Sequence, residues 1–172
     1  MSKAEKQVHP FEPIYDSNSR ILVLGTMPSV ASRQNRFYYA HPQNRFWKVL
    51  SLVLDTPLPL NIREKREMLL RHGIALWDVL KSCRIYKSQD SSIKDPVVND
   101  FEPVLRNSQI CAVFANGSKA GSLYRKLAYP QTGIPCTVLP STSPANAQYS
   151  LEKLVQEWMV IREYLAPQPD DT

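Results

Sequence analysis

The chain has 172 residues, enough to bury one sizeable core, and its 43% hydrophobic content excludes wholesale disorder. A net charge of +5 favours a polyanionic partner. No apolar run approaches the roughly 20 residues of a membrane span, and MSKAEKQVHPFEP lacks a signal peptide's apolar core, so an intracellular protein of cytoplasm or nucleoid is expected.

In chain order, ILVLG (21–25) is an apolar run closing on glycine, the pattern of a strand buried on both faces. Next come Arg33, Arg36, Arg45 and Lys48, interleaved with Phe37, Tyr38, Tyr39, Phe46 and Trp47. Cations for phosphates beside aromatic faces for bases suit a nucleic-acid site. NRFWKVLSLVL predicts a helix with Phe46, Val49, Leu50, Val53 and Leu54 at helical spacing and Asn44 as N-cap. After the loop TPLPLN, IREKREMLLRHG predicts a charged surface helix stopped by Gly73.

GIALWDVL (73–80) reads as a second strand. KSCRIYKSQDSSIKDPVVND has no clear period and reads as a long functional loop, with a short helix starting at Asn99 or Asp100. ICAVFANG (110–117) is a third strand, leading into a helix with Ala120, Leu123, Tyr124 and Leu127 on one face. IPCTVLPS (134–141) is a fourth, ending in the loop STSPANA. Leu151, Leu154, Val155, Trp158, Ile161 and Leu165 define the last helix. Cys83, Cys111 and Cys136 form no C-x-x-C pair and read as buried thiols, and His9, His41 and His72 lack metal-ligand spacing.

Strands alternating with helices predict an α/β fold, a three-layer αβα arrangement around a central parallel four-stranded sheet. One domain over 1–172 is expected, with residues 1–19 as a peripheral arm and 166–172 as a peripheral tail. Ligands of such sheets sit beyond the carboxyl ends of the strands, here GTMPS, WDVLKS, ANGSK and LPSTSPANA. None is a phosphate-cradling glycine loop or a G-x-S-x-G elbow, and only Asp78 clearly supplies a strand-end carboxylate. A site without metal or cofactor is expected.

Taken in order, these loops resemble the uracil-DNA glycosylase superfamily over roughly residues 20 to 162. LGTMPS is similar to its first motif, G-x-x-P-[SGY], and YYAHPQNRFWKVL to the segment that follows in mismatch-specific glycosylases. VFANGSKA resembles a strand running into W-G-x-x-A, and LPSTSPANA the second motif, a loop that enters the minor groove. GIALWDVLKSC together with LPSTSPAN looks most like the hypoxanthine-DNA glycosylase branch. Met27 stands where uracil and thymine mismatch enzymes carry a water-activating Asp or Asn, and Leu139 where classical uracil enzymes have a His. Ser88, Asp90 and Ser91 belong to the branch pattern without a physical role assigned.

The resemblance implies a monofunctional enzyme that flips a deaminated base, hypoxanthine first, and hydrolyses its N-glycosidic bond. Uracil or xanthine excision and a catalytically lapsed DNA-binding protein are the alternatives. The expected partner is double- or single-stranded DNA, met by a monomer with no membrane association. Asn44 is the implied catalytic carboxamide, with the N-cap as its other reading. Tyr39 falls at the base-stacking position, with Tyr38 as second choice, and Thr26, Met27 and Asn116 are further base contacts. Asp78 sits where uracil enzymes read the base edge; its carboxylate suits a purine N1–H, or else caps the following turn. Ser141, Thr142, Ser143, Pro144 and Asn146 form the wedge loop, with Ser29 and Arg36 as further DNA contacts and Arg33 and Arg45 as phosphate candidates. His41 reads as structural, with a leaving-group donor as its other reading.

Overall fold

The computed structural model describes residues 5–9, 12–27, 32, 37–85 and 93–165. Strands β2 (Ile21–Gly25), β3 (Ile74–Asp78), β6 (Ala112–Asn116) and β7 (Cys136–Leu139) form a four-stranded sheet of order β3-β2-β6-β7. Every pairing in it is parallel, as expected. All five residues of β2 are buried, because helices cover both faces of this central strand. The period of two sends Ile21 and Val23 into one core, with Phe46, Leu50, Leu154 and Trp158. Leu22 and Leu24 enter the other, with Phe101, Leu123 and Tyr124.

The Phe46–Leu54 helix buries Phe46, Trp47, Val49, Leu50 and Val53. The Ile62–Arg71 helix is capped by Asn61, whose side chain accepts from the Glu64 N–H, and Gly73 beyond it takes φ 76°. The helix after β6 is interrupted: Ser118–Leu123 passes through a π turn at Tyr124–Ala128 into Tyr129–Thr132. Gly121 permits this helix to lie on β7, since a Cβ would meet Val138 Cγ2 at 2.4 Å. The final helix is α-helical over Leu151–Trp158 and tightens into a 3-10 helix at Met159–Tyr164.

Three expectations need correction. Residues 81–100 are not simply a loop: β4 (Leu80–Ile85) and β5 (Lys94–Val98) pair antiparallel, with β1 (Glu5–Val8) on the other side of β4. The arm before residue 20 is not peripheral, since β1 belongs to that sheet and Ile14, 1% exposed, bridges Leu76. Cys83 is buried, but Cys111 is exposed and its Sγ donates to the Arg20 carbonyl. Ser29, Arg33, Arg36, Ser88, Asp90, Ser91 and the 166–172 tail lie outside the described residues.

Candidate active site

The carboxyl ends of β2 and β3 place Gly25 directly opposite Asp78. A Cβ on Gly25 would lie 2.4 Å from Asp78 Oδ1 and 3.0 Å from the Tyr39 hydroxyl. Glycine is required here by close approach: a carboxylate oxygen and a phenol converge over one backbone atom. Asp78 is 3% exposed. Its Oδ2 is 2.7 Å from His9 Nε2, and its backbone carbonyl accepts from Asn99 Nδ2 at 2.9 Å.

Tyr39 reaches this point from a strained turn. Its φ of 53° lies in the left-handed region, which bulky residues rarely adopt. Ser32 fixes the turn, accepting from the Phe37 N–H through its carbonyl and from the Ala40 N–H through its hydroxyl, both at 3.1 Å. Trp47 Nε1–H donates to the Tyr38 carbonyl at 3.1 Å. Phe46 stacks under the Tyr39 ring, with centroids 4.1 Å apart and planes inclined by 22°. The Tyr39 hydroxyl is buried and has no hydrogen-bond partner among the described residues. Burial first, and then the Asp78 charge, raise its pKa; the Asn116 amide opposes this from nearby, without a hydrogen bond of normal geometry. The group therefore stays a neutral donor.

The same turn points Tyr38 inward. It is 3% exposed and its hydroxyl donates to the Glu12 carbonyl at 3.0 Å. Tyr38 is a wall of the core beside His9, their ring centroids 5.9 Å apart, and it offers little surface to a base. Thr26 is 8% exposed, and its carbonyl accepts from the Leu80 N–H at 3.2 Å. Met27 packs, partly buried, against the core layer of Leu22 and Leu24.

Asn44, Asn116 and Thr142 form one relay. The Asn44 Oδ1 accepts from the Phe46 N–H at 2.9 Å and from Thr142 Oγ1 at 2.9 Å. Thr142 Oγ1 in turn accepts from Asn116 Nδ2 at 3.0 Å, while the Thr142 N–H donates to Asn116 Oδ1 at 3.0 Å. Backbone N–H groups only donate, so the Phe46 and Thr142 amides fix which end of each carboxamide is oxygen. Both lone pairs of Asn44 Oδ1 are thereby occupied. Its Nδ2 meets no partner among the described residues and is the end left for chemistry. The capping reading also holds in part: the helix begins at Phe46 with Arg45 as its N-cap residue, and Asn44 caps from one position earlier.

The loop after β7 is internally bonded. The Ser143 N–H donates to Ser141 Oγ and the Ala145 N–H to Ser143 Oγ, both at 3.1 Å, and Asn146 Nδ2 donates to the Ser141 carbonyl at 3.0 Å. Pro144 is exposed at the tip, whereas Thr142 is 0% exposed and faces the relay. Arg45 holds the loop from below, its guanidinium donating to the carbonyls of Tyr149, of Asn146 at 3.0 Å and of Ser143 at 3.3 Å. Three of its five N–H donors are thereby given to loop carbonyls. His41 is exposed and structural, its Nδ1 accepting from the Gln43 N–H at 3.1 Å and its carbonyl from Asn44 N–H at 2.9 Å. Sequence reasoning missed His9 and the clamp of Arg45. No local pattern marks either, since each acts across a large sequence separation.

Among the described residues, no group of three or more His, Cys, Asp or Glu could hold a metal ion, and no helix is long and apolar enough to cross a membrane. Sheet and site define an α/β protein with polar side chains converging at its strand ends, flanked by a proline-tipped loop. Residues 12–164 match the uracil DNA glycosylase superfamily, and the chain belongs to that family. It is 37% identical over 159 residues to the hypoxanthine DNA glycosylase of Methanosarcina acetivorans, covering 88% of this chain and 95% of that one. It is 34% identical over 154 residues to the hypoxanthine DNA glycosylase of Methanosarcina barkeri, covering 86% and 93%. A solution NMR structure of a Methanosarcina acetivorans protein, provisionally described as a uracil DNA glycosylase, superposes with a TM-score of 0.74 at 30% identity, covering 88% of this chain and 96% of that one.

Proposed function

We propose that this protein is a DNA glycosylase that removes deaminated bases, hypoxanthine first, without nicking the strand itself. The observation that carries the reading is the pairing of the Asp78 Oδ1 acceptor with the unpartnered Tyr39 donor over Gly25. A lactam edge presents an N–H donor beside a carbonyl acceptor, which complements this pair. Adenine presents the reverse and leaves two buried polar groups unmatched. Two relatives named for hypoxanthine at 34% and 37% identity support the same assignment.

Hydrolysis breaks the bond between C1′ and the base nitrogen and joins C1′ to the oxygen of water. One proton of that water stays on the new hydroxyl, and the base leaves with the other. Negative charge grows on the base, so a fixed donor aimed at it lowers the barrier. Asn44 Nδ2 is that donor in this reading, its orientation set by the Phe46 amide and Thr142. In this reading Phe46, stacked on the Tyr39 ring, holds the tyrosine hydroxyl at the base edge, in place of the stacking role that the resemblance implied, and Thr26, Met27 and Asn116 are further contacts of the base. Ser141, Ser143, Pro144 and Asn146 meet the DNA, with Ser29 and Arg36 beside them. The partner is DNA, double- or single-stranded, met inside the cell by a single copy of the chain.

Uracil and xanthine carry the same lactam pattern, which makes their excision the second reading. Purified protein incubated with duplexes carrying single deoxyinosine, deoxyuridine or deoxyxanthosine, followed by alkaline cleavage of abasic sites, tests both. Deoxyinosine is expected to be cleaved fastest. Binding without cleavage of any of them would leave a DNA-binding protein.

A further inference from the structure

We propose that His9, delivered by β1, is a positioning residue that holds Asp78 Oδ1 in place as the acceptor for the lactam N–H of the flipped base. This rests on the reading of the pocket given above, and it adds a site residue from outside residues 12–164, the segment that matches the family.

A buried carboxylate has two oxygens to satisfy and one torsion that exchanges them. Here Oδ2 is taken by His9 Nε2 at 2.7 Å, with both side chains 4% exposed. A carboxylate only accepts, so the ring nitrogen facing it carries the hydrogen. With Oδ2 pinned, Oδ1 has one direction left, over Gly25 and beside the Tyr39 hydroxyl. The backbone of Asp78 is fixed separately, through Asn99 Nδ2 and the parallel pairing with Gly25. The role of the histidine is thus to orient the carboxyl group and not to place the strand.

His9 itself is set by strand geometry. β1 pairs with β4 from Glu5↔Ile85 to Val8↔Ser82, and the His9 N–H continues that line to the Lys81 carbonyl at 2.8 Å. Tyr38 packs beside the imidazole, with ring centroids 5.9 Å apart, and is anchored by its bond to the Glu12 carbonyl. The ladder, the imidazole and the carboxylate therefore form one connected support for a single oxygen. That gives the small sheet a task at the pocket.

The test compares wild type, His9→Ala and His9→Gln in single-turnover excision from a deoxyinosine duplex, alongside their affinity for undamaged duplex. His9→Ala is expected to slow excision about 10- to 100-fold, the range for losing a hydrogen bond to a charged group, with duplex affinity nearly unchanged. His9→Gln keeps an N–H donor and is expected to recover most of the rate. Wild-type excision by His9→Ala would overturn the proposal alone. So would parallel loss of excision, duplex affinity and thermal midpoint in both variants, which marks a purely structural histidine. Wild-type protein that leaves deoxyinosine intact would overturn the functional reading, and this inference with it.

Discussion

Thr142 Oγ1 donates to Asn44 Oδ1 at 2.9 Å, joining the loop after β7 to the start of the Phe46–Leu54 helix. With the Phe46 N–H on the same oxygen, the carboxamide can offer only its N–H groups to a ligand. A catalytic carboxamide can act as an acceptor that positions water or as a donor that stabilises the departing base, and this geometry favours the second.

Asn44→Asp distinguishes them. The carboxylate still accepts from Phe46 and Thr142 but has no donor to give. If the donor is the catalytic element, Asn44→Asp and Asn44→Ala should both lose about 100- to 1,000-fold in single-turnover rate on deoxyinosine, as expected for removing one such donor. An Asp variant that matches or exceeds wild type would establish the acceptor role instead.

The relay makes a second prediction at its centre. Thr142 is 0% exposed and bonds to both asparagines. Thr142→Val keeps the shape and removes the hydroxyl, leaving Asn116 Nδ2 without its acceptor. Thermal and urea denaturation should show a loss of ~1–3 kcal/mol, and excision should fall as Asn44 loses its orientation. Thr142→Ser restores the oxygen and should recover both quantities. A stable but equally inactive Ser variant would argue against the relay.

The sheet was legible because buried parallel strands are written as apolar runs: ILVLG, IALWD and AVFAN stand out from their neighbours. The smaller sheet was not. KDPVV is exposed along most of its length and its pairing with β4 shifts register twice, so neither burial nor alternation marks it. Among the site residues, the sequence brought Tyr39, Asp78 and Asn44 forward as chemistry-bearing types at strand and helix ends. It ranked Tyr39 ahead of Tyr38 by resemblance alone, whereas in the fold the two differ by one positive φ that turns their side chains apart. Arg45 makes a related point. Charge beside aromatics predicts a cation near the site, but only the fold decides whether carbonyls or phosphates receive it.

Burial raises the pKa of Tyr38, Tyr39 and Tyr124, with the Asp78 charge as a further cause for the first two and a hydrogen bond from Thr132 acting in the opposite sense on Tyr124. A phenol raised on folding favours the native state fully below its unfolded pKa, about 10. Above that pH the unfolded chain ionises and the native one does not, so stability falls as pH climbs. Phenolate absorbance from these three should appear together with the loss of near-ultraviolet circular dichroism. Their ionisation in a still-folded protein would show that the pocket is open to water.

Arg45 allows the clamp and the phosphate contact to be told apart in one measurement. A side chain that neutralises a phosphate contributes about 0.9 to the slope of log affinity against log salt. Arg45 donates instead to the carbonyls of Ser143, Asn146 and Tyr149, and its own N–H donates to the Thr142 carbonyl at 3.1 Å. Lysine cannot reproduce a planar fork that reaches three acceptors. Arg45→Lys therefore keeps the charge and loosens the loop, which should weaken duplex binding and slow excision while leaving the salt slope unchanged. Arg45→Ala should do the same, again at unchanged slope. A slope shallower by about 0.9 in Arg45→Ala alone would return Arg45 to the phosphate backbone.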